Sequence, residues 1–456
     1  MSLVAARPLP LATAAPAPSL PPAVVYLVML GAMSFHMALC FVNTKIGGVG
    51  NSAIIGSEIV IVGTVLLLSY GIVDYSRFLV VSGLIFYLVL LAAVRTVFHG
   101  ESLQIKPVRD LLIPIAFFFF GMRAADIRRA DLLVGIAAAI VVTVGLIEYA
   151  FPDRFTDIFN VARFYIDRGA MKTGQSPQSS NLFISGIRPD VLGGRNLLPF
   201  LGDHRISSVF LEPISSGNFG IIVFMWALVR SRARGRVTWG LFAAAAAMIV
   251  LSDSRFGAMF CIVAAGIAML PPAIGAAAAA TIPAVALAAL IVLPDQLEKM
   301  HVVGNGFISR LILSGHFIAA LDLQNWLGVM TPDFQPFDSG YAYSFIGFGV
   351  IGAVALWAIF WSIEGRGWQF RTYRNLVGAY YGVLLCVSNS PYTIKTASLL
   401  WFLLGVLAAA RDPPPVAPRR SSYPHRAPAR AAALPRSPSS GTAHRPRSGH
   451  GPARGL

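Results

Sequence analysis

Charged side chains are scarce in this chain: Asp, Glu, Lys and Arg make up only 12% of its 456 residues. Soluble domains carry about a quarter of such residues, so the deficit argues against a soluble protein. A hydrophobic fraction of 56% and a mean hydropathy of +0.67 point the same way. The composition therefore predicts an integral membrane protein.

Cysteine is also rare, and Cys40, Cys261 and Cys386 each lie within an apolar run. Such a pattern is typical of packed thiols and excludes a disulfide framework or a cysteine zinc site. The chain has no P-loop motif, so nucleotide hydrolysis is not expected. GFGVIG at 347–352 matches G-x-G-x-x-G, but it lies in an apolar run without a preceding strand. We interpret it as small residues that let helices approach closely, and not as a dinucleotide site.

Long apolar runs fill most of the remaining sequence. About twelve of them are long enough to span a bilayer as helix. The predicted spans are 23–42, 52–73, 78–98, 109–123, 131–150, 208–229, 237–252, 255–271, 272–293, 341–362, 375–390 and 394–410. The predicted fold is an all-α polytopic membrane protein with about twelve transmembrane helices and two long loops, 151–207 and 294–340.

The two ends of the chain differ in composition from this membrane domain, 23–410. Residues 1–22 form a Pro/Ala-rich leader that lacks the basic-then-apolar order of a signal peptide. The tail 411–456 is rich in Pro, Ser and Ala and is predicted to be disordered. Its nine arginines and one aspartate supply +8 of the net charge of +15. The preferred partner of this basic tail is the anionic membrane lipid, with a nucleic acid or a regulatory protein as the alternatives.

Basic residues in the short loops predict the orientation. They are concentrated in three loops. The loop after the sixth span contains Arg230, Arg232, Arg234 and Arg236, the loop after the tenth contains Arg366, Arg371 and Arg374, and the loop after the fourth contains Arg123, Arg128 and Arg129. Placing these loops in the cytoplasm puts both termini there and both long loops outside. Lys106 and Arg109 disagree, since they precede the fourth span on the outer side.

Polar residues collect on that predicted outer face. The segment GDHRISSVFLEPISS carries Arg205 and Glu212 at the entrance of the sixth span, and LSDSRF carries Asp253 and Arg255 between the seventh and eighth. The second long loop supplies the remaining candidates, which are Arg310, His316, Asp338 and Tyr341. A carboxylate within a span, as predicted for Glu212, is costly without a cationic partner.

Arginine side chains at the membrane surface are well suited to bind phosphate groups. The guanidinium stays charged and offers paired donors that match phosphate oxygens. Several arginines could hold the head of a lipid-linked diphosphate and stabilise the charge that develops as it leaves. A nearby carboxylate or imidazole could accept a proton from a sugar hydroxyl. The structural alternatives are a helix-end anchor for Arg255 paired with Asp253, a solvent-facing His316, and a helix cap at 338–339.

The order RISSVFLEPISSGNFG, LSDSRFGAMF and DSGYAYSFIGFGVIGAVAL resembles the O-antigen polymerase and O-antigen ligase superfamily. Within it the chain is most similar to exopolysaccharide polymerases of the xanthan type. The resemblance covers most of 23–410 and implies a helical glycosyltransferase that uses undecaprenyl-diphosphate-linked oligosaccharides at the periplasmic face of the bacterial inner membrane. A flippase and a chain-length or export protein would be its partners.

The resemblance also implies roles for individual residues. Arg205, Arg255 and Arg310 match arginines that engage the donor diphosphate, with Asp253 and Tyr341 in support. Ligases of this superfamily carry a histidine before the next span, where this chain has Asp338-Ser339-Gly340-Tyr341. The difference favours a polymerase and leaves His316, Asp338 and Glu212 as candidates for acid–base chemistry. Neither long loop contains a D-x-D pair or a metal-ligand cluster, so no metal and no cofactor are expected.

Two other functions fit parts of the sequence. A ligase would share the site and differ in its acceptor. A flippase for the lipid-linked sugar would be expected to show internal repeats and ionisable groups near the bilayer midplane. We find no such repeat, and the candidate arginines lie at helix ends.

Overall fold

The structure, a computed structural model, describes residues 20–171, 186, 201–202, 204–235, 237–298, 307–336, 338–365 and 367–410. The basic tail 411–456, nearly all of the leader, and Arg236 and Arg366 of the basic loops lie outside these residues. So do the middle of the first long loop and 299–306 of the second.

The described part of the chain is helical and contains no strand. Its helices, in chain order, are α1 (Pro22–Lys45), α2 (Asn51–Leu68), α3 (Tyr75–His99), α4 (Lys106–Ala124), α5 (Ile127–Ala150), α6 (Pro152–Ile158), α7 (Val161–Asp167), α8 (Pro213–Arg234), α9 (Trp239–Leu251), α10 (Arg255–Met269), α11 (Pro272–Val292), α12 (Pro294–Glu298), α13 (Phe307–Ala319), α14 (Leu323–Leu327), α15 (Gly340–Ser362), α16 (Gly367–Leu384) and α17 (Ile394–Ala409).

A helix overlaps each of the twelve apolar runs. Seven of these helices are long and apolar enough to cross a membrane, namely α1, α2, α3, α5, α8, α11 and α15. Three others, α9, α10 and α17, are apolar but shorter, with 13, 15 and 16 residues. The chain is therefore a helical membrane protein, and the count of twelve spans stays a prediction.

Several predicted boundaries differ from those of the helices, and one difference moves a candidate residue. The sixth span was expected to begin at 208 and to contain Glu212, but α8 begins at Pro213 and Glu212 is its extended N-cap residue. Proline is favoured at the first helical position, where no amide hydrogen is needed. Before it, Ser208 and Leu211 have positive φ angles of 51° and 59°, so the chain turns sharply there instead of continuing a helix.

The closest helix pair in the core is α4 against α17. A Cβ atom added at Gly121 would lie 2.0 Å from the carbonyl oxygen of Phe402, and one added at Gly405 would lie 2.0 Å from that of Phe118. No side chain larger than hydrogen fits between these backbones. This is how small residues hold helices together in membranes, where apolar side chains gain little by leaving lipid.

Helix α15 is interrupted at Gly349, whose φ of 66° and ψ of 161° are not helical. The chain after α14 packs into this break, since a Cβ atom at Gly328 would lie 2.8 Å from the amide nitrogen of Gly349. Arg95 of α3, which is buried, donates to the carbonyl oxygens of Gly328 and Ile346. GFGVIG thus provides the close helix packing expected of it.

Contacts between chain segments define two ends of the bundle. At one end, which we call the basic end, Asp131 of α5 accepts hydrogen bonds from Arg230 at 2.9 Å and from Arg234. Arg123 donates to the Tyr70 carbonyl there as well. The other end, which we call the site end, joins the start of α8 to the ends of α5 and α9. The positive-inside rule predicts that the basic end faces the cytoplasm.

One of the two basic residues that disagreed with this orientation, Arg109, is neutralised at the site end. Arg109 lies 2.7 Å from Glu58 of α2 and 2.7 Å from the adjacent Asp110. Asp110 is buried and also accepts a hydrogen bond from Tyr343. Since Arg109 has two carboxylate partners, it adds no net positive charge to this end.

Candidate functional site

A cavity of about 100 Å³ at the site end brings together all three predicted arginines. We call it the arginine cavity. Its walls come from the beginnings of α8, α10 and α13 and from the end of α16, with Asp253 beside the arginines. The lining residues are Arg205, Ile214, Asn218, Asp253, Ser254, Arg255, Phe256, Phe307, Arg310, Leu384, Val387 and Ser388.

Arg205 is fixed by the turn that follows α9. Its Nε atom donates to the Ser252 carbonyl oxygen at 2.9 Å, and the next amide, of Ile206, donates to the Leu251 carbonyl at 3.0 Å. The same segment is held from α5, because the buried carboxylate of Glu148 accepts from the Ser207 amide at 3.1 Å and the Ser208 amide at 2.6 Å. His204 Nε2 lies 2.9 Å from this carboxylate. Arg205 therefore stands on a segment anchored to two helices.

Arg255 is the first residue of α10, and Ser254 caps that helix by accepting the Gly257 amide at 3.1 Å. Within the described residues the Arg255 guanidinium makes no hydrogen bond and no ion pair, although it lines the cavity. The predicted pairing with Asp253 is absent from the contacts of this turn, and Ser254 fills the role of cap. Asp253 is buried and has a positive φ of 50°. The donors of Arg255 are thus available to a ligand.

Arg310 enters from α13 and meets Asp338, which precedes α15. Arg310 Nη1 lies 3.2 Å from Asp338 Oδ2, with side-chain exposures of 22% and 45%. The helix cap expected around 338–339 is Ser339, whose hydroxyl accepts the Ala342 amide at 3.4 Å. Asp338 is therefore not needed as a cap, and its carboxylate lies beside an arginine of the cavity and partly open to solvent.

His316 and Tyr341 lie outside the arginine cavity. His316 is exposed on α13, six residues beyond Arg310, which places it on a different face of the helix. Tyr341 is buried, and its hydroxyl donates to the Gly382 carbonyl at 2.7 Å while its amide donates to the Leu385 carbonyl at 3.0 Å. It joins the start of α15 to the last turn of α16, one wall of the cavity.

Glu212 belongs to a second group of polar side chains, which we call the Glu212 cluster: His36, Tyr165, Arg168, Glu212 and Lys395. Lys395 Nζ lies 3.1 Å from Glu212 Oε2, and Tyr165 donates to the other carboxylate oxygen. Burial would raise the pKa of Glu212, but the Lys395 ammonium, the Tyr165 hydroxyl and the charge of Arg168 together lower it. The cationic partner expected of Glu212 is thus a lysine and not one of the cavity arginines.

Sequence reasoning missed Lys395, Tyr165 and Glu148. Lys395 and Glu148 stand at the ends of predicted spans, and ionisable residues in such positions are candidates for functional contacts. Tyr165 carries no comparable signal, because a tyrosine in a polar loop is unremarkable until its hydroxyl is seen against Glu212.

A larger apolar groove of about 620 Å³ lies between α3, α4, α11, α15 and α16. At the site end it is lined by Asp110, Tyr341, Ser344 and Tyr392, and at the basic end by Asp74, Arg77 and Glu364. Gly382 and Leu385 line this groove, whereas Leu384, Val387 and Ser388 line the arginine cavity. The two spaces are thus separated by the last turn of α16 and the segment after it.

Among the residues that the structure describes, no three His, Cys, Asp or Glu side chains are grouped so that they could hold a metal ion. No protein-family model, curated protein or solved structure matches this chain. The function is therefore argued from the geometry of the site.

Proposed function

We propose that the protein is a membrane glycosyltransferase, a polysaccharide polymerase that joins oligosaccharide repeat units carried on undecaprenyl diphosphate. The observation that carries this proposal is the convergence of Arg205, Arg255 and Arg310 on one cavity. These residues come from three segments that are far apart in the sequence. An ordinary set of interfacial anchors would point outward to water or lipid headgroups, and would not share a cavity.

The reaction requires an acceptor hydroxyl to attack the anomeric carbon of the donor sugar. The bond between that carbon and the phosphate oxygen breaks, and the lipid diphosphate leaves with the electron pair. Guanidinium groups in the cavity stabilise the negative charge that grows on the leaving oxygens. Arg255 suits this task best, because its donors are not engaged by other described residues and its helix cap is supplied by Ser254.

The attacking hydroxyl must lose a proton, and Asp338 is the best placed of the three candidates. Glu212 is engaged by Lys395 and Tyr165, and His316 lies on a different face of α13 from Arg310. Asp338 is 45% exposed and touches Arg310, so a sugar hydroxyl can reach it. We assign it the role of general base, with Arg310 holding its carboxylate.

The apolar groove supports a lipid-borne substrate. Its wall is shared with the arginine cavity at the last turn of α16, so an apolar chain and a charged head can be held by neighbouring parts of one protein. The site would face the periplasm of a bacterial inner membrane, with both termini cytoplasmic. A flippase must then deliver the substrate, and a chain-length or export protein would receive the polymer.

Reconstitution tests this proposal directly. Purified protein in liposomes receives undecaprenyl-diphosphate oligosaccharide with and without excess chelator, and the products are sized by gel electrophoresis. We expect a ladder of multiples of the repeat unit, equal in both conditions, because arginines and not a metal ion neutralise the diphosphate. An Arg255→Gln variant of normal thermal stability serves as the inactive control. Absence of a ladder from the wild-type protein would contradict the proposal.

One observation favours transport as the second candidate. Helix α15 is broken at Gly349, and interrupted helices are common in transporters. In the same liposomes, movement of the labelled lipid-linked sugar between leaflets without any ladder would identify a flippase. Transfer of a single unit to an added acceptor, without multiples, would identify a ligase.

A further inference from the structure

The Glu212 cluster holds more hydrogen-bond donors than its own acceptors can use. Within the described residues the Arg168 guanidinium makes no hydrogen bond, and its Nη1 atom is buried without a partner. It lies instead over the Tyr165 ring, 4.4 Å from the ring centroid. Both ring nitrogens of His36 are also buried without a hydrogen-bond partner, in a side chain that is 5% exposed. Buried polar groups left in this way point to a missing ligand.

These unused donors lie beside the same aromatic ring. The His36 ring centroid is 6.2 Å from that of Phe164, and the Arg168 guanidinium is 5.7 Å from the Phe164 centroid. Lys395 is 3% exposed. Its Nζ atom pairs with the Glu212 carboxylate and donates to the Phe210 carbonyl, each at 3.1 Å. His36 is therefore linked to Arg168 through Phe164, and Arg168 to Lys395 through Tyr165 and Glu212, although the three come from α1, the end of α7 and the start of α17.

The charges of the cluster do not balance. Lys395 and Arg168 are positive, and Glu212 is the single carboxylate that forms an ion pair with either of them within the described part of the chain, while Glu58 acts on Lys395 from a greater distance. Arg168 is half-buried, and its buried Nη1 atom without an acceptor carries a desolvation cost. A bound anion removes that cost and accepts the unused donors of Arg168 and His36 at the same time.

We infer that the Glu212 cluster is a second binding site for a phosphate group borne by a lipid, distinct from the arginine cavity, and that it holds the diphosphate of the acceptor substrate. This assignment rests on the proposed function, because a polymerase must hold two lipid-linked diphosphates at one face. Glu212 lies two residues before Ile214, which lines the arginine cavity. The start of α8 therefore separates the two sites and places both substrates beside the same short segment.

Binding of inorganic diphosphate, measured by isothermal titration calorimetry, tests the inference without requiring turnover. The full chain is held in phosphatidylcholine nanodiscs. We expect two binding events in the wild-type protein. Arg168→Gln should weaken one of them at least tenfold and leave the other unchanged, and Arg255→Gln should do the reverse. His36→Phe keeps the ring contacts and should weaken the Arg168-dependent event more mildly.

Arg163→Gln is the matched control, since Arg163 lies on the same short helix α7 and is 55% exposed in a pair with Asp167. It should leave both binding events unchanged. A single event that Arg255→Gln abolishes, or equal effects of Arg168→Gln and Arg163→Gln, would overturn the second site. Thermal unfolding of each variant shows whether a loss of binding reflects a loss of folding, and Arg168→Lys, which keeps the charge, then replaces Arg168→Gln.

Two sources could supply the phosphate, and a change of lipid separates them. In nanodiscs that contain phosphatidylglycerol, an unchanged Arg168-dependent event supports the acceptor assignment. Competition by this lipid would overturn that assignment and identify a phospholipid site. Polymer formation is measured separately. Two binding events without a polymer ladder would therefore refute the proposed function and leave the second site standing.

Discussion

Arg310 and Asp338 are separated by the chain that runs from α13 to the start of α15, and their side chains meet at 3.2 Å. The contact closes the segment between α13 and α15 onto the arginine cavity. Because both side chains are partly exposed, the pair adds little to stability, at most about 1 kcal/mol. Its significance is positional, since it holds a carboxylate next to the cavity that we assign to the donor diphosphate.

Replacing Arg255 by lysine should reduce polymerisation by about 100-fold, because lysine keeps the charge and loses the paired donors. The melting temperature in detergent should not change, since the guanidinium forms no hydrogen bond or ion pair with a described residue. Arg163→Lys, also at the site end, is the control and should keep full activity. Near-normal activity of the Arg255 variant would show that this residue is a helix-end anchor and does not bind the diphosphate.

Asp338→Asn should lower the rate of sugar transfer by at least about 100-fold if its carboxylate is the general base. His316→Gln should retain activity, because His316 is exposed on another face of α13. Initial rates at saturating substrate distinguish the two variants. If instead the His316 variant is inactive and the Asp338 variant is active, His316 is the general base.

Lys395→Met should destabilise the protein by about 3 kcal/mol, because it leaves Glu212 without its cation and the Phe210 carbonyl without its donor. The double variant Lys395→Met, Glu212→Gln should recover a large part of this loss. Chemical unfolding in mild detergent measures the cycle. Additive losses in the double variant would show that the two side chains do not interact.

The lowered pKa of Glu212 predicts an acid-sensitive contribution to stability. A carboxyl group whose folded-state pKa lies below its ordinary value of 4.5 stabilises the fold fully above that pH. The contribution is lost as the pH falls through the folded value. Melting temperatures of the wild type should therefore drop more steeply below pH 4.5 than those of Glu212→Gln. Parallel curves would mean that Glu212 is not ionised in the fold.

The sequence was sufficient to locate the long apolar helices, because apolar runs of membrane length have few other solutions. It also identified the three arginines of the cavity as residues at helix ends on one face. It could not predict the path of 205–212. That path depends on Glu148, which lies 59 residues before Ser207, and on positive φ angles at Ser208 and Leu211. Both are tertiary effects, and they explain why Glu212 was placed inside a helix that begins one residue later.

The division between the two polar groups was unpredictable for a related reason. Glu212 and Ile214 are two positions apart in the chain, but Glu212 pairs with Lys395 whereas Ile214 lines the arginine cavity. Lys395 reaches Glu212 from a helix 183 positions further along the chain. The sequence alone does not show which helix packs on which side of α8. It therefore predicts that Glu212 lies near the arginines.

The backbone contact between α4 and α17 limits how this protein can move. With Gly121 and Gly405 in the interface, neither helix can rotate or slide without driving a carbonyl oxygen into its neighbour. Asp110 and Lys395, near the site ends of these two helices, are thereby kept at a constant separation. Any opening that admits a substrate must therefore leave this helix pair, and with it the Lys395 side of the Glu212 cluster, in place.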